Sequence, residues 1–165
     1  MMQRALHRAA TSTILRRAMS TAEEGAAGSM TLNFNLPHET IYSGAKVSQV
    51  IVPGSAGEYG VTADHVPVVA QLKPGVLQIL HDGVAEPEKY FVAGGFSITH
   101  ANSTTDISCP EAVKIDDIDA AAVTAAFEAA KSAFASAEAE SVASAEAQID
   151  MEVSKAMGAA VGVSL

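Results

Sequence analysis

The chain has 165 residues, which is enough for one core domain and a smaller appendage. All four arginines lie at or before Arg17, so the rest of the chain sets six lysines against nineteen acidic residues, a net charge of −13. That charge excludes nucleic acid and anionic lipid as favoured partners, and it favours basic or neutral protein surfaces. The single cysteine excludes an internal disulfide, and no apolar run reaches the ~18 residues of a membrane-spanning helix.

The N-terminal segment differs in composition from everything that follows it. Residues 1–20 contain four arginines, several serines and threonines and no acidic residue. This composition is typical of an organelle import peptide, and the lack of a long apolar stretch argues against secretion. We predict a cleaved import peptide over residues 1–22 and a flexible leader over 23–29. A basic arm that binds nucleic acid or lipid is the alternative, which the acidic remainder of the chain disfavours.

From residue 30 to residue 112 the apolar residues follow period two in short runs. Gly, Pro, Asn and Asp separate the runs, and this pattern predicts nine or ten short strands in an antiparallel sandwich or barrel. The clearest predicted strands cover residues 31–36, 45–53, 75–80, 90–94, 96–99 and 106–109.

The stretch 53–75 has the densest turn chemistry in this half of the chain. It holds four glycines, three prolines and one histidine between two valine-rich runs, and valines alternate through it. Disordered linkers do not alternate in this way, so the stretch predicts an ordered β-loop-β segment. It contains no nucleophile–base pair and no cluster of metal ligands, so we expect it to dock against a partner.

After Pro110 the period changes to that of a helix. Residues 113–165 are rich in alanine, the best helix former, and predict a two-helix antiparallel hairpin with a turn near 136–141. Asp116 or Asp117 is expected to cap a first helix that begins near Ile118. The two predicted apolar stripes are Val123, Phe127, Ala130 and Phe134, then Val142, Ala145, Ile149, Val153 and Met157.

None of the reactive side chains forms a convincing catalytic or metal site. His65 follows Asp64, but neighbours in a loop rarely act as base and orienting group, so a structural or interface role is the better interpretation. The five histidines lack the spacing of a metal site, and the acidic run 116–119 lacks the glycine of a calcium loop. Cys109 has no neighbouring base and is interpreted as a small buried hydrophobe. We therefore predict no catalytic residue, no metal and no cofactor.

An ordered set of motifs resembles a known family. The motifs are, in chain order, Pro53-Gly54-x-x-Gly57-Glu58-x-Gly60, His65-x-Pro67, Leu72-x-Pro74-Gly75, Tyr90-Phe-Val-Ala-Gly-Gly95 and Ile118-Asp119. With them the chain is similar to the small central-stalk subunit of F-type ATP synthases, called ε in bacteria and chloroplasts and δ in mitochondria. The δ-like stretches at 30–53 and 145–149 favour the mitochondrial form over a plastid one.

The resemblance implies a ten-stranded antiparallel β-sandwich followed by a C-terminal two-helix antiparallel hairpin, and no catalysis. It implies a rotor subunit that joins the γ shaft to the c-ring, peripheral to the mitochondrial inner membrane on the matrix side, with γ, the c-ring and a mitochondrial ε subunit as partners. It also implies that Gly57, Glu58, Tyr59 and Gly60 form the loop that faces the c-ring, and that His65, Val66 and Pro67 face γ.

A regulatory, nucleotide-sensing ε-type subunit that inhibits ATP hydrolysis is the alternative function. Family members that bind ATP carry an arginine shortly after the Ile/Leu-Asp pair of the first helix. Here Ile118-Asp119 is followed by Ala120-Ala121-Ala122-Val123, and no arginine occurs after Arg17. A nucleotide phosphate would find no guanidinium, so we predict no ATP sensing.

Overall fold

The computed structural model describes residues 28–165. The predicted import peptide, 1–22, lies outside the described residues, as does the predicted leader apart from its last two positions. Both remain predictions.

Ten strands form the first part of the described chain. Their burial follows the alternation of the sequence, because successive side chains in a strand point to opposite faces. In β1, for example, Met30, Leu32 and Phe34 are fully buried and the residues between them are half-buried. The strands are β1 (Met30–Asn35), β2 (Thr40–Val47), β3 (Gln49–Gly54), β4 (Gly57–Thr62), β5 (Val68–Leu72), β6 (Gly75–Leu80), β7 (Glu88–Val92), β8 (Gly95–Thr99), β9 (Thr104–Ser108) and β10 (Ala112–Lys114).

The strands pair in the order β10-β7-β6-β3-β5-β8-β9-β1-β2, with β4 attached to β3 alone. The predicted ten-stranded sandwich is confirmed, with one departure from an all-antiparallel arrangement. β1 pairs in parallel with β9, from Thr31 opposite Thr104 to Asn35 opposite Ser108. β1 therefore lies between the late strand β9 and its own hairpin partner β2, which is the last strand in the order.

The prediction of one strand over residues 45–53 was wrong. The run divides at Ser48, whose backbone N–H donates to the Leu80 carbonyl oxygen at 2.9 Å. Residues before the break pair with β1, and residues after it pair with β4 and β6. Apolar periodicity does not reveal a change of pairing partner, so the sequence pattern runs through the break.

The core lies between the faces of the sandwich and consists of bulky side chains. Phe34 meets Tyr90 edge-to-face with ring centroids 5.6 Å apart. No residue of either helix belongs to this cluster. Its members are Met30, Leu32, Phe34, Val47, Val50, Val52, Val61, Leu72, Leu77, Ile79, Tyr90, Val92, Ile107 and Cys109.

The predicted helical hairpin follows β10. A short 3₁₀ turn, Ile115–Asp117, leads into α1 (Ala120–Ser136) and α2 (Val142–Ala160). The predicted cap was wrong: Asp116 and Asp117 lie in the 3₁₀ turn, and Asp119 caps α1 by accepting from the Ala121 N–H at 2.9 Å. Ser141 caps α2 in the same way, accepting from the Ser144 N–H at 3.1 Å.

The hairpin buries few residues, and most of them are small. The stripe predicted for α1 holds in part, since Val123 and Ala130 are buried but Phe134 is 43% exposed. The stripe predicted for α2 was wrong in its first half, because Val142 is 75% and Ile149 is 59% exposed. The buried positions of α2 are Ala147 and Gly158. Gly158 packs against Val163 and Leu165, beyond the end of α2, so its burial comes from the C-terminal residues.

Candidate docking surface

The loop between β3 and β4 is shaped by glycine at both ends. A Cβ on Gly54 would lie 2.8 Å from the Gly57 carbonyl oxygen and 3.1 Å from the Tyr59 ring. Gly57 has φ +136°, a conformation that L side chains rarely adopt. These two residues pair across the hairpin and bring the chain back tightly into β4. The glycine spacing of the motif is thus a requirement of the turn.

Tyr59 and His65 lie beside each other where β4 and the loop before β5 meet. Their rings are tilted by 41° with centroids 6.4 Å apart, and His65 Nδ1 donates to the Val66 carbonyl oxygen at 2.8 Å. The Tyr59 hydroxyl is buried without a hydrogen-bond partner among the described residues. An open groove of about 510 Å³ runs past the two rings. Its lining residues are Gly54, Ser55, Ala56, Gly57, Tyr59, His65, Val66, Val68, Val69, Ala70 and Gln71.

The structure brings part of both predicted residue groups into this groove. From the predicted c-ring-facing loop, Gly57 and Tyr59 line it, while Glu58 and Gly60 are exposed outside its lining. From the predicted γ-facing group, His65 and Val66 line it. The last member of that group, Pro67, is exposed beside it. The two groups therefore meet at one surface, with the groove between them.

Sequence reasoning missed the apolar residues that extend this surface. Val69 on β5 is 70% exposed and pairs with Ile98 on β8, which is 38% exposed; Phe96, two residues earlier on β8, is 54% exposed. We call Val66, Val69, Phe96 and Ile98 the apolar patch. Contiguous exposed apolar residues on a soluble protein mark an interaction site. The alternation of β5 and β8 reveals that they have two faces but does not tell which face is buried.

Two residues in the left-handed conformation hold the loop that carries His65. Asp64 has φ 59° and Ser103 has φ 58°. The Ser103 hydroxyl accepts from the Asp64 N–H at 2.9 Å and donates to Asp64 Oδ1 at 3.2 Å. This contact ties the loop before β5 to the turn between β8 and β9, so the groove and the patch are fixed relative to each other.

The reactive side chains singled out in the sequence are tied up in other contacts or buried. The Asp64 carboxylate bonds to Ser103 and not to His65, so the two neighbours do not act as base and orienting group. Cys109 is 2% exposed, and burial raises the pKa of its thiol to about 12, which keeps it protonated and unreactive. Within residues 28–165 no group of three or more His, Cys, Asp or Glu side chains is placed to hold a metal ion, and no helix is long and apolar enough to cross a membrane.

Several known proteins are similar to this chain in sequence. A family model described as "ATP synthase, Delta/Epsilon chain, beta-sandwich domain" matches residues 29–115. The mitochondrial ATP synthase subunit delta of Eremothecium gossypii is 43% identical over 114 residues, which cover 69% of this chain and 71% of that protein. The mitochondrial ATP synthase subunit delta' of Ipomoea batatas is 47% identical over 91 residues, 55% of this chain and 44% of the relative. The match thus spans less than half of the Ipomoea protein.

Solved structures share the whole arrangement. A chain in the Euglena gracilis mitochondrial ATP synthase structure of OSCP, F1 and c-ring matches with a TM-score of 0.75 and 26% identity, over 86% of this chain and 87% of that one. A chain in the Tetrahymena thermophila central stalk and c-ring structure shares the fold, with a TM-score of 0.57 at 14% identity. With a family model covering more than half of its residues, this chain belongs to the delta/epsilon chain family of the ATP synthases.

Proposed function

We propose that this chain is the non-catalytic central-stalk subunit of a mitochondrial F-type ATP synthase. It couples the γ shaft to the ring of c subunits, so that proton-driven rotation powers ATP synthesis. One observation carries the proposal: the match to a chain of the Euglena mitochondrial assembly covers 86% of this chain, sandwich and hairpin together. The docking surface supports it, because an apolar patch beside a shaped groove suits a permanent protein contact.

The γ subunit is the proposed partner of the apolar patch. Val69 and Phe96 are large, exposed and adjacent on neighbouring strands, which is the form of an interface core. Val66 belongs to the patch, and its predicted γ-facing neighbours His65 and Pro67 border it and would extend the contact along the groove.

The c-ring is the proposed partner of the loop Gly57, Glu58, Tyr59 and Gly60. Glu58 is exposed near the start of β4, just after the turn from β3, where its carboxylate can meet polar or basic loop residues of the ring. The mitochondrial ε subunit is the proposed partner of the hairpin, whose apolar residues Phe134, Val142 and Ile149 are exposed.

The location follows from the assembly. Relatives named as mitochondrial subunits and the predicted import peptide support a mitochondrial site. We place the subunit on the matrix side of the inner membrane, held there by the complex. The proposed division of the chain is an import peptide over 1–22, a leader over 23–29, a sandwich domain over 30–112 and a hairpin domain over 113–165.

Nucleotide sensing is disfavoured by the surroundings of Asp119. Its carboxylate caps α1, and the shallow cleft beside it is lined by Asp117, Ile118 and apolar residues with no basic side chain. An anionic phosphate would meet two carboxylates there. We expect isothermal titration with ATP to detect no micromolar binding. A micromolar affinity that disappears in Asp119→Ala would contradict this and favour the regulatory alternative.

Co-purification with γ tests the proposed function. Residues 21–165, expressed with γ and the mitochondrial ε subunit of the same organism, should elute as one complex in gel filtration. Val69→Asp and Phe96→Asp should each weaken the complex about 100-fold or more, because an unpaired charge is buried in the interface. Val84→Asp is the matched control, since Val84 is 51% exposed on the loop after β6, outside the patch. Failure to form any complex would reject the central-stalk assignment.

A further inference from the structure

A single carboxylate at one end of the sandwich holds four side chains that the docking surface does not use. Glu88 Oε1 accepts from Lys114 Nζ at 2.6 Å and from the Tyr90 hydroxyl at 2.9 Å. Glu88 Oε2 accepts from the Tyr42 hydroxyl and lies 3.4 Å from His81 Nε2. The four partners come from β2, the loop after β6, β7 and β10. We call these five residues the Glu88 cluster.

The charge states of Glu88 and its partners support the contacts within the Glu88 cluster. Partial burial raises the pKa of Glu88, but hydrogen bonds from Lys114, Tyr42, Tyr90 and His81 outweigh it and lower the pKa from 4.5 to about 2. Burial and the contact with Glu88 raise the pKa of Tyr90 to about 12, and the same two causes raise that of Tyr42. The ion pair with Glu88 raises the pKa of Lys114. At neutral pH the carboxylate is charged and its hydroxyl and ammonium partners stay protonated.

Lys114 occupies the point where the chain leaves the sandwich. It is the last residue of β10, and the 3₁₀ turn before the hairpin begins at the next residue. β10 has only three residues and forms one edge of the sheet, paired with β7 alone. The Lys114 ammonium also lies 5.6 Å from the centroid of the Tyr90 ring, which adds a cation–π contact. A strand this short holds its position weakly through backbone hydrogen bonds alone.

The hairpin has few other attachments to the sandwich. The sandwich core includes no helix residue, and the contact of the helices with the strands is confined mainly to α2 beside β6. The junction cleft between Val113, Ile118, Val123 and Met157 is open, with a volume of about 300 Å³. Little apolar burial therefore fixes the angle of the hairpin.

We infer that Glu88 is a positioning residue that sets the orientation of the hairpin through its ion pair with Lys114 at the end of β10. The carboxylate joins the edge strand to residues of β2 and β7 inside the sandwich, so the exit direction of the chain follows the rigid part of the fold. Glu39 lies near Tyr90 and Asp117 near Lys114. The cleft that Glu88 and Lys114 share is also lined by the charged residues Glu86, Lys89 and Asp116. Lys89 is the basic residue among these five, and the ion pair of Glu88 is with Lys114.

Distances between nitroxide labels in the full chain test the inference. Thr62→Cys at the end of β4 and Ala139→Cys between the helices place one exposed label on each part. The native Cys109 is buried and protonated, so it should stay unlabelled, and the unsubstituted chain checks this. The chain with both labels should show one narrow distance peak by pulsed electron resonance. The free subunit suffices, so the outcome does not depend on the central-stalk assignment.

Two pairs of variants separate the charge contact from general effects. We expect Lys114→Met and Glu88→Gln to lose the single narrow peak, because each removes the ion pair between Lys114 and Glu88 while the side-chain volume is nearly kept. We expect Lys114→Arg to retain it, because the cation remains. Lys89→Met is the matched control, since Lys89 neighbours Glu88 on β7 and does not contact its carboxylate. If Glu88→Gln fails to fold, Lys114→Met decides alone.

Three results would overturn the inference. They are a narrow peak that survives in Lys114→Met, equal broadening in Lys89→Met, and a broad distribution in the chain that carries only the labels. Thermal melting of each labelled variant accompanies the distances. A peak lost while the variant remains folded, with only a small fall in melting temperature, separates orientation from global unfolding, and this is the combination expected for Lys114→Met.

Discussion

The sandwich and the hairpin bury very different residues, although they share one chain. Fourteen residues form the sandwich core, and most of them are Val, Leu, Ile, Phe or Met. The helices bury Val123, Ala130, Ala147 and Gly158. Because hydrophobic stabilisation scales with buried apolar area, the sandwich carries its own stability and the hairpin depends on its attachments. In this fold the sandwich is a rigid body for docking, and the position of the hairpin is set where it connects to the sandwich.

The largest expected difference between the two parts concerns a phenylalanine in each. Phe34→Ala should lower the free energy of unfolding by about 3–5 kcal/mol, because Phe34 is fully buried against Tyr90. Phe134→Ala in the hairpin should cost less than about 1 kcal/mol, since its ring is 43% exposed. Urea denaturation measures both. Equal losses would remove the distinction between a self-stable sandwich and a weakly packed hairpin.

Two glycines test how tightly the sandwich is packed around its backbone. Gly95 and Gly57 have nearly equal φ values, +131° and +136°, so alanine strains the backbone alike at both. A Cβ on Gly95 would lie 2.2 Å from the Ser108 carbonyl oxygen, whereas a Cβ on Gly57 meets open space. Gly95→Ala should cost about 3 kcal/mol and Gly57→Ala about 1 kcal/mol in denaturation experiments. A smaller loss for Gly95→Ala would contradict the tight β8–β9 contact.

Acid should weaken the contact of Glu88 with Lys114, at the point where the chain leaves the sandwich. Its pKa is about 2 in the folded protein against a usual 4.5, so the ionised form favours folding. This stabilisation is complete above pH ~4.5 and disappears as the pH falls through about 2. Glu88→Gln should flatten the acid limb of stability in that window, measured as melting temperature against pH. Glu128→Gln in the hairpin, where the carboxylate is mostly exposed, is the control; an unchanged acid limb in Glu88→Gln would contradict the assignment.

The smallest expected effect is local to the hairpin. Asp119→Ala removes the cap of α1 and should cost about 1 kcal/mol. Hydrogen exchange should accelerate in α1 and remain unchanged in the sandwich strands, because the two parts share little core. Asp117→Ala, two residues earlier in the 3₁₀ turn, is the matched control and should leave α1 unaffected. Faster exchange in β1 or β6 would show that the parts unfold together.

Local features of the candidate site were predictable, and long-range ones were not. The glycines and prolines of 53–75 indicated an ordered loop because their backbone preferences are properties of single residues. The patch of Val69, Phe96 and Ile98 was missed because alternation marks two faces without saying which one is covered. The contact between Asp64 and Ser103 joins residues far apart in sequence, and no spacing rule announces such a pair.

The order of parts is readable from the residues alone: a period-two half forms the sandwich, and an alanine-rich half with helical period forms the hairpin. The motif set that places the chain in its family is readable there as well. The pairing of β1 with β9, the burial of Ala147 while Ile149 is exposed, and the contact of Glu88 with Lys114 emerge only in the folded chain. Periodicity and turn chemistry act over a few residues, whereas strand partners, buried faces and charge contacts depend on which distant segments can share the same space.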